Sequence, residues 1–354
     1  MLGGGGFLGY HLAAEALADG HRVTVFSRSG EAPLEGVDVV RGDRTGDLDG
    51  LRGRTWDAVV DTFTDSEEGA PAVRSTAELL SGSVGAYAYV SGMSVYAPDG
   101  PARPDESAPV RRPGAHDDRL QERSIAKLAG EAAVIDAFDG VALFPRVGIM
   151  VGPRDPSHRF TYWPVRIANG LAGHLQPAVL VPGDPDRVVQ YSDARDIAGW
   201  VVRMLAAGRG GIFNTVGPGR DDTLRDVLDA CVAAAVAVPA ATADTLPTQR
   251  VGTGRVGPGD LKDHGIDFVR ADEQDLRLAL EDVDEEERPL WFPEDQIPQE
   301  AIDSSAALAA GLVFRPLAET VTDTLAWAEE HGDAALTDGA FAALEPDLIR
   351  SLGR

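Results

Sequence analysis

The segment Gly3-Gly4-Gly5-Gly6-Phe7-Leu8-Gly9 stands at the head of a helical stripe formed by Leu8, Leu12 and Leu17. Gly20 can close that helix at its C′ position. A G-x-x-G-x-x-G spacing at a helix start answers three needs. Glycine is required where the chain turns sharply, where backbone must approach a bound diphosphate, and where helix packs on strand. The diphosphate then rests on the free N–H groups of the first helical turn. Gly3, Gly6, Phe7, Leu8 and Gly9 are therefore candidate cofactor-binding residues. Four consecutive glycines alone would equally suit a loose terminus, and the order of elements in the next 120 residues separates the two readings.

That order is a regular alternation. Residues 22–26, 37–40, 58–60, 86–90 and 141–144 read as strands, and 73–80 and 120–138 as helices. Strands alternating with helices at this spacing imply βαβ units with right-handed crossovers. The expected fold class is α/β, a doubly wound parallel sheet covered on both faces. A glycine turn of this kind should come after a strand of about five residues, and only Met1 and Leu2 precede Gly3. The first strand is thus expected to be very short, or the natural start to lie a few residues upstream. A missing central strand costs pairing on both sides, which favours the second.

The bulk numbers exclude several classes. With 354 residues and 44% apolar content, a sizeable core can be buried, and one large α/β domain or a nucleotide domain with a smaller lobe fits the length. The net charge of −25 and pI near 4.5 repel nucleic-acid phosphates. An anionic ligand would need a locally positive pocket. The apolar stretches are too short or weak to span a bilayer, and no secretory signal opens the chain. A single cysteine, Cys231, reads as a buried structural thiol and suits a cytoplasmic location. His11, His116 and His158 are scattered without metal-ligand spacing, so no metal is expected. The acidic run 281–288 reads as a solvated loop.

After the second strand, an NAD-preferring site offers an acid to the ribose 2′-hydroxyl. Here the residues are Phe26-Ser27-Arg28-Ser29. Arg28 can hold a 2′-phosphate through a bidentate contact, so NADP is expected over NAD, the plain alternative being a surface arginine. Asp43 is placed to accept a hydrogen bond from an adenine amino group.

Taken together, the glycine pattern, Gly42-Asp43, Tyr89-Val90-Ser91-Gly92-Met93-Ser94-Val95-Tyr96, Phe144-Pro145-Arg146-Val147-Gly148-Ile149-Met150-Val151-Gly152-Pro153 and Asp193-Ala194-Arg195-Asp196-Ile197 resemble the extended short-chain dehydrogenases/reductases. Phe160-Thr161-Tyr162-Trp163-Pro164, Pro289-Leu290-Trp291-Phe292-Pro293 and Phe314-Arg315-Pro316-Leu317 are similar to an atypical, NAD-dependent epimerase/dehydratase-like group within them. The likeness runs over about residues 1–330. It implies an NAD(P)-binding Rossmann domain over 1–150, continued by about 188–216. It also implies a smaller C-terminal substrate lobe over 151–187 and 217–330, with 331–354 as a helical tail.

The resemblance exposes two departures. Such proteins use a tyrosine as general acid/base, four residues before a lysine on one helix face. The ammonium lowers the phenol pKa and holds the nicotinamide ribose. The lysine is present as Lys127, but Arg123 occupies the tyrosine position, and Gly92 stands where a serine or threonine is customary. An arginine stays charged and cannot shuttle a proton at neutral pH. Replacement catalytic groups are Ser94 and Tyr96, which share a face if the segment is extended. Packing, or contact with substrate, is the alternative for Tyr96. Ser91, Arg123, Tyr162 and Trp163 are candidate substrate residues, Arg123 as a clamp for a carboxylate or phosphate.

Three readings stay open. One is an NAD(P)-dependent oxidoreductase or epimerase acting on a small polar metabolite through an alternative acid. Another is a non-redox cyclase, isomerase or lyase on the same fold, and the third a cofactor-binding regulator without chemistry. The expected partner is a small, anionic substrate rather than nucleic acid or membrane, and the expected state a monomer or homodimer.

Overall fold

The computed structural model describes residues 1–63, 68–115, 120–218, 221–237, 265–281, 283, 288–291, 302–332 and 340–352. His116, Lys262, Phe292, Pro293 and most of the acidic run 281–288 lie outside them. In chain order the first elements are α1 (Phe7–Ala18), β1 (Thr24–Ser27), β2 (Asp38–Arg41), β3 (Trp56–Asp61), α2 (Gly69–Leu80), β4 (Val84–Tyr89) and β5 (Ser91–Gly92). Next come α3 (Gln121–Ala137), β6 (Val141–Val147), β7 (Met150–Val151), α4 (Tyr162–Leu171), β8 (Ala178–Pro182), β9 (Ser192–Asp193), α5 (Ala194–Ala206) and β10 (Gly211–Thr215). The last are α6 (Leu224–Ala237), β11 (Asp267–Ala271), α7 (Glu273–Ala279), α8 (Ser305–Ala309), α9 (Leu317–His331) and α10 (Ala340–Leu352). No helix of the described residues is long and apolar enough to cross a membrane.

Packing divides the chain into two units. The first comprises Met1–Met150, Gln190–Asp221 and Gln296–Arg315, and the second Val151–Val189, Asp222–Asp295 and Pro316–Arg354. The stretch 296–315, placed in the second lobe by the sequence reading, belongs to the first unit. Ser304 explains why: its hydroxyl donates to the Val216 carbonyl (2.7 Å) and accepts from the Val216 N–H (3.1 Å).

The first unit is built on a parallel sheet in which β3 pairs β4, β4 pairs β6, and β6 pairs β10, while β1 pairs β2. Met1 and Leu2 join the two parts. Leu2 bridges Phe26 on one side and Asp61 on the other, with Leu2 N–H to Val60 O (2.8 Å), Thr62 N–H to Leu2 O (3.1 Å) and Phe26 N–H to Met1 O (2.9 Å). These two residues thus occupy the central strand position. From there the chain order runs outward in both directions, to β1 and β2 on one side and to β3 and β4 on the other. That reversal is the switch point of a doubly wound sheet, where ligands bind beyond the strand ends. Gly3 comes immediately after it.

The strands carry continuous apolar runs because both faces are covered. Adjacent residues alternate between two cores. Val25, Val60, Ala88, Val90 and Leu143 pack with Leu8, Leu12, Ile197 and Trp200 of α1 and α5. Phe26, Val59, Tyr87, Tyr89 and Phe144 pack with Val73, Ala77, Leu80 and Val134 of α2 and α3. The period of two within each strand therefore assigns every helix to a face. Helix α1 ends as its sequence predicts. Gly20 has φ of +84°, its N–H donates to Leu17 O (3.0 Å), and the His21 N–H donates to Ala16 O (2.9 Å), closing a Schellman motif. Asp193 starts α5 by accepting from the Arg195 N–H at 3.0 Å.

In the second unit β8 and β11 pair in parallel, and α4, α6 and α9 pack together. Arg166 of α4 and Glu345 of α10 form a buried ion pair (Nε to Oε2, 2.5 Å), and Glu345 also accepts from the Leu180 N–H at 2.9 Å.

Candidate functional site

Beyond the end of the central strand, each glycine of the turn has its own reason. Gly3 has φ of +93°, and a Cβ there would lie 2.4 Å from Thr62 Oγ1. A Cβ on Gly9 would lie 2.5 Å from Gly3 O and within 2.9 Å of Gly4 backbone carbons, and one on Gly4 would meet the Val25 side chain at 2.5 Å. These three serve the protein's own close approach. Gly5 and Gly6 differ. A Cβ at Gly5 meets nothing within 4 Å, and one at Gly6 meets only Gly3 O at 3.9 Å. Gly6 is the N-cap of α1, and no side chain caps the first-turn N–H groups of Phe7, Leu8 and Gly9. Open space in front of uncapped helix N–H groups is the arrangement that receives a diphosphate. The residues present therefore fit a dinucleotide, which Gly6, Phe7, Leu8 and Gly9 would hold.

Arg28 lies just after β1 on the surface. Asp43 commits one carboxylate oxygen to Thr45, accepting from its N–H (3.0 Å) and its hydroxyl (2.9 Å). Those bonds, with a smaller contribution from the Arg28 charge, hold its pKa below the ordinary value.

Lys127 lies on the inner face of α3 and is 5% exposed. Its Nζ donates to Val90 O (2.7 Å) and Phe63 O (3.2 Å) and sits 5.1 Å from the centroid of the Tyr89 ring. Thr62, next to Phe63, donates to the Leu2 and Gly3 carbonyls, so the loop after β3 ties the glycine turn to the lysine. Burial is the main cause that lowers the Lys127 pKa to about 8. Asp61 and Glu131 pull it up, and Arg123 pushes it down. Both acids are committed elsewhere. Asp61 is gripped by Arg44 through two bonds (2.8 and 2.7 Å) and accepts from the Tyr87 hydroxyl at 2.6 Å. Glu131 is held bidentately by Arg146 (3.0 and 2.8 Å). Among the described residues, the buried ammonium thus has no direct carboxylate partner.

Arg123 is exposed, one helical turn before Lys127, and close enough for its charge to act on it. Gly92 has room for a side chain: a Cβ there would find only ordinary contacts, Val147 O at 3.7 Å and Ser94 Oγ at 3.8 Å. Helix α3 packs against β5 and the turn after it, so Lys127, Arg123, Gly92 and Ser94 share one neighbourhood.

Four candidates need correction. Ser94 and Tyr96 do not share a strand face, because Met93–Val95 forms a 3-10 turn that breaks the period of two. Tyr96 is 1% exposed, its hydroxyl donating to Asn214 Oδ1 (2.6 Å) and accepting from Arg146 (3.1 Å). It is a packing residue rather than a replacement acid. Tyr162 and Trp163 open α4 rather than a loop, and both rings are buried against Phe341 within the second unit. They serve that core rather than lining a pocket. Ser91 is likewise buried, and its hydroxyl finds no partner among the described residues.

Sequence reading passes over two features of the site. One is the Arg44–Asp61 pair. The other is Gly130, where a Cβ would lie 2.4 Å from the Tyr89 ring; its signal was an isolated glycine inside a helical run.

The family described as NAD dependent epimerase/dehydratase matches residues 1–216. No curated protein matches the chain. Among solved structures, a protein from Burkholderia cenocepacia J2315 is 18% identical with a TM-score of 0.62, the match covering 92% of this chain and 95% of that one. The Bordetella bronchiseptica enzyme WbmG, crystallised with NAD and UDP, is 19% identical with a TM-score of 0.57, covering 94% of each chain. The UDP-N-acetylglucosamine 4-epimerase of Bacillus cereus is 16% identical with a TM-score of 0.57, covering 92% of this chain and 96% of that one. At these identities the likeness is one of fold.

Proposed function

Since the chain belongs to the NAD-dependent epimerase/dehydratase family, we propose that it binds a nicotinamide dinucleotide on the Gly3–Gly9 turn and catalyses hydride transfer on a small, polar, anionic metabolite. The observation that carries this reading is the open space before Gly5 and Gly6 at the uncapped start of α1. When bound, the dinucleotide supplies hydride acceptance and donation. The chain's own residues bind and orient it: backbone N–H groups at the diphosphate, Asp43 at the adenine, and Lys127 at the nicotinamide ribose. Arg123, at the tyrosine position, holds an anionic group of the substrate. A nucleoside diphosphate sugar is an anion of suitable class, and WbmG was crystallised with UDP.

A non-redox reaction on the same fold is the second reading, favoured by the pair Gly92 and Arg123. Mass and absorption spectra of the purified protein separate the two. Co-purified dinucleotide that changes oxidation state with turnover supports hydride transfer, and one that never changes supports the other.

NADP is the preferred form in this reading, because Arg28 stands where an acid would select NAD. Arg28→Ala is expected to weaken NADP binding about tenfold, or about 1.4 kcal/mol, and to leave NAD binding nearly unchanged in calorimetry. Equal affinity of the unaltered protein for both dinucleotides would overturn the preference.

A further inference from the structure

We propose that Lys127 is itself the acid–base group of the reaction, taking the part for which the tyrosine position no longer carries a usable side chain. The inference rests on the hydride-transfer reading above, adds the identity of the proton donor, and gives the one N–H of Lys127 not held by backbone to the substrate instead of the ribose.

The geometry is that of an ammonium fixed in place and left without a counter-ion among the described residues. Two N–H groups are aimed by Val90 O and Phe63 O at 2.7 and 3.2 Å, and the third finds no acceptor among those residues. Among the described residues, the charged and titratable groups around it are these. Asp61 of β3 is locked to Arg44, Tyr89 of β4 presents its ring, and on α3 itself Glu131 is locked to Arg146 while Arg123 adds a like charge. A carboxylate bound directly to Nζ would hold the proton on. Here both acids are held by their own arginines and act on Nζ only through their charge, without a bond to it, and the nearby guanidinium favours release. A pKa of about 8 arises chiefly from burial, within the range where an acid–base group works at neutral pH. Arg123 thus has a second use, as a positioning charge that keeps the proton on Lys127 labile.

In the reducing direction, one Nζ–H bond breaks and the proton goes to the oxygen of the substrate carbonyl. A bound reduced nicotinamide dinucleotide would supply the hydride for the carbonyl carbon, so that the C=O π pair becomes the O–H bonding pair. The amine left behind regains a proton from water. In the oxidising direction, the neutral amine takes the hydroxyl proton, and a bound oxidised dinucleotide would supply the hydride acceptor.

The sequence offers an unusually direct test, because Lys127 and Lys262 are its only two lysines. Lysine labelled with 13C at Cε, incorporated into the Lys262→Arg variant, leaves one side-chain signal to titrate by NMR. The expected midpoint is about 8. Arg123→Gln is expected to move it upward. In saturated complexes the midpoint should be higher with NADPH than with NADP+, because the oxidised ring carries a positive charge that disfavours a neighbouring ammonium. A midpoint at the ordinary lysine value of about 10.4 would overturn the proposal. So would identical midpoints in the two complexes. Calorimetry on the same samples keeps the two ideas apart. Absence of dinucleotide binding removes the hydride-transfer reading, whereas binding with an ordinary lysine titration removes only this one.

Discussion

Asp61→Ala is expected to be among the most damaging single changes in the first unit, costing about 3–5 kcal/mol in urea unfolding at pH 7. Asp61 is fully buried, and its two oxygens accept from both terminal nitrogens of Arg44, with Tyr87 and the Phe63 N–H as further donors. Arg44 is buried too, and its Nε donates to Thr76. Deleting the carboxylate leaves a largely buried guanidinium without its counter-charge, and that cost, rather than the lost attraction, sets the size of the effect. Asp61→Asn keeps the shape but not the charge, so it should also destabilise, though by less. Stability should then depend on pH. Burial raises the Asp61 pKa, but the charge and hydrogen bonds of Arg44, aided by Tyr87 and Phe63, outweigh it and hold the value below that of an ordinary aspartate. The contribution is therefore complete above the unfolded value of about 3.9 and is lost as pH falls through the lower folded value. Unfolding free energies measured from pH 7 down to 3 should fall more steeply for the unaltered protein than for Asp61→Asn. Parallel curves would show that the pair carries no linked proton.

That ion pair also marks the limit of what the sequence makes legible. The sheet was readable because its strands are short apolar runs whose neighbours face opposite cores, as Val59 and Val60 or Tyr87 and Ala88 do. The helices between them were readable from their stripes, and Gly20 from its place at the end of one. Arg44 and Asp61 were not, because their meeting depends on how the loop after β2 returns across β3. No local period encodes that path. At Tyr96 a single 3-10 turn at Met93–Val95 breaks the alternation on which the extended reading rests, and the packing alternative fits its burial. At Tyr162 and Trp163 the signal was available. Trp163, Arg166, Ile167 and Gly170 stand at helical spacing on the buried side of α4.

The chemical site was legible in outline and not in its electrostatics. Lys127 and the departures at positions 123 and 92 stand out only against the pattern of the family that the sequence resembles. That its ammonium is held by two backbone carbonyls, while Asp61 and Glu131 are each claimed by an arginine, emerges only when β3, β4, β6 and α3 are brought together. A motif can name the residue that bears a charge. Its surroundings decide how firmly it keeps its proton.

Gly6→Val and Gly9→Val, made in parallel, are expected to separate ligand space from protein space within one turn. At Gly6 the nearest atom that an added Cβ would meet is Gly3 O, at 3.9 Å. The backbone there is extended, with φ of −80° and ψ of 176°, which valine adopts freely, and the glycine supplies no capping bond that valine would remove. The variant should fold with a melting temperature close to that of the unaltered chain. If the diphosphate rests on the turn as proposed, a valine side chain at its N-cap should lower dinucleotide affinity at least tenfold, about 1.4 kcal/mol or more. At Gly9 the neighbours are backbone atoms, Gly3 O at 2.5 Å and Gly4 Cα at 2.8 Å, which cannot swing aside as a side chain does. That variant should lose stability by about 1–3 kcal/mol whether or not ligand is present. Thermal melts and calorimetry with NADP and NAD on both proteins decide the matter. Full-strength binding by a stable Gly6→Val protein would remove the diphosphate from the glycine turn, and with it the proposed hydride-transfer function.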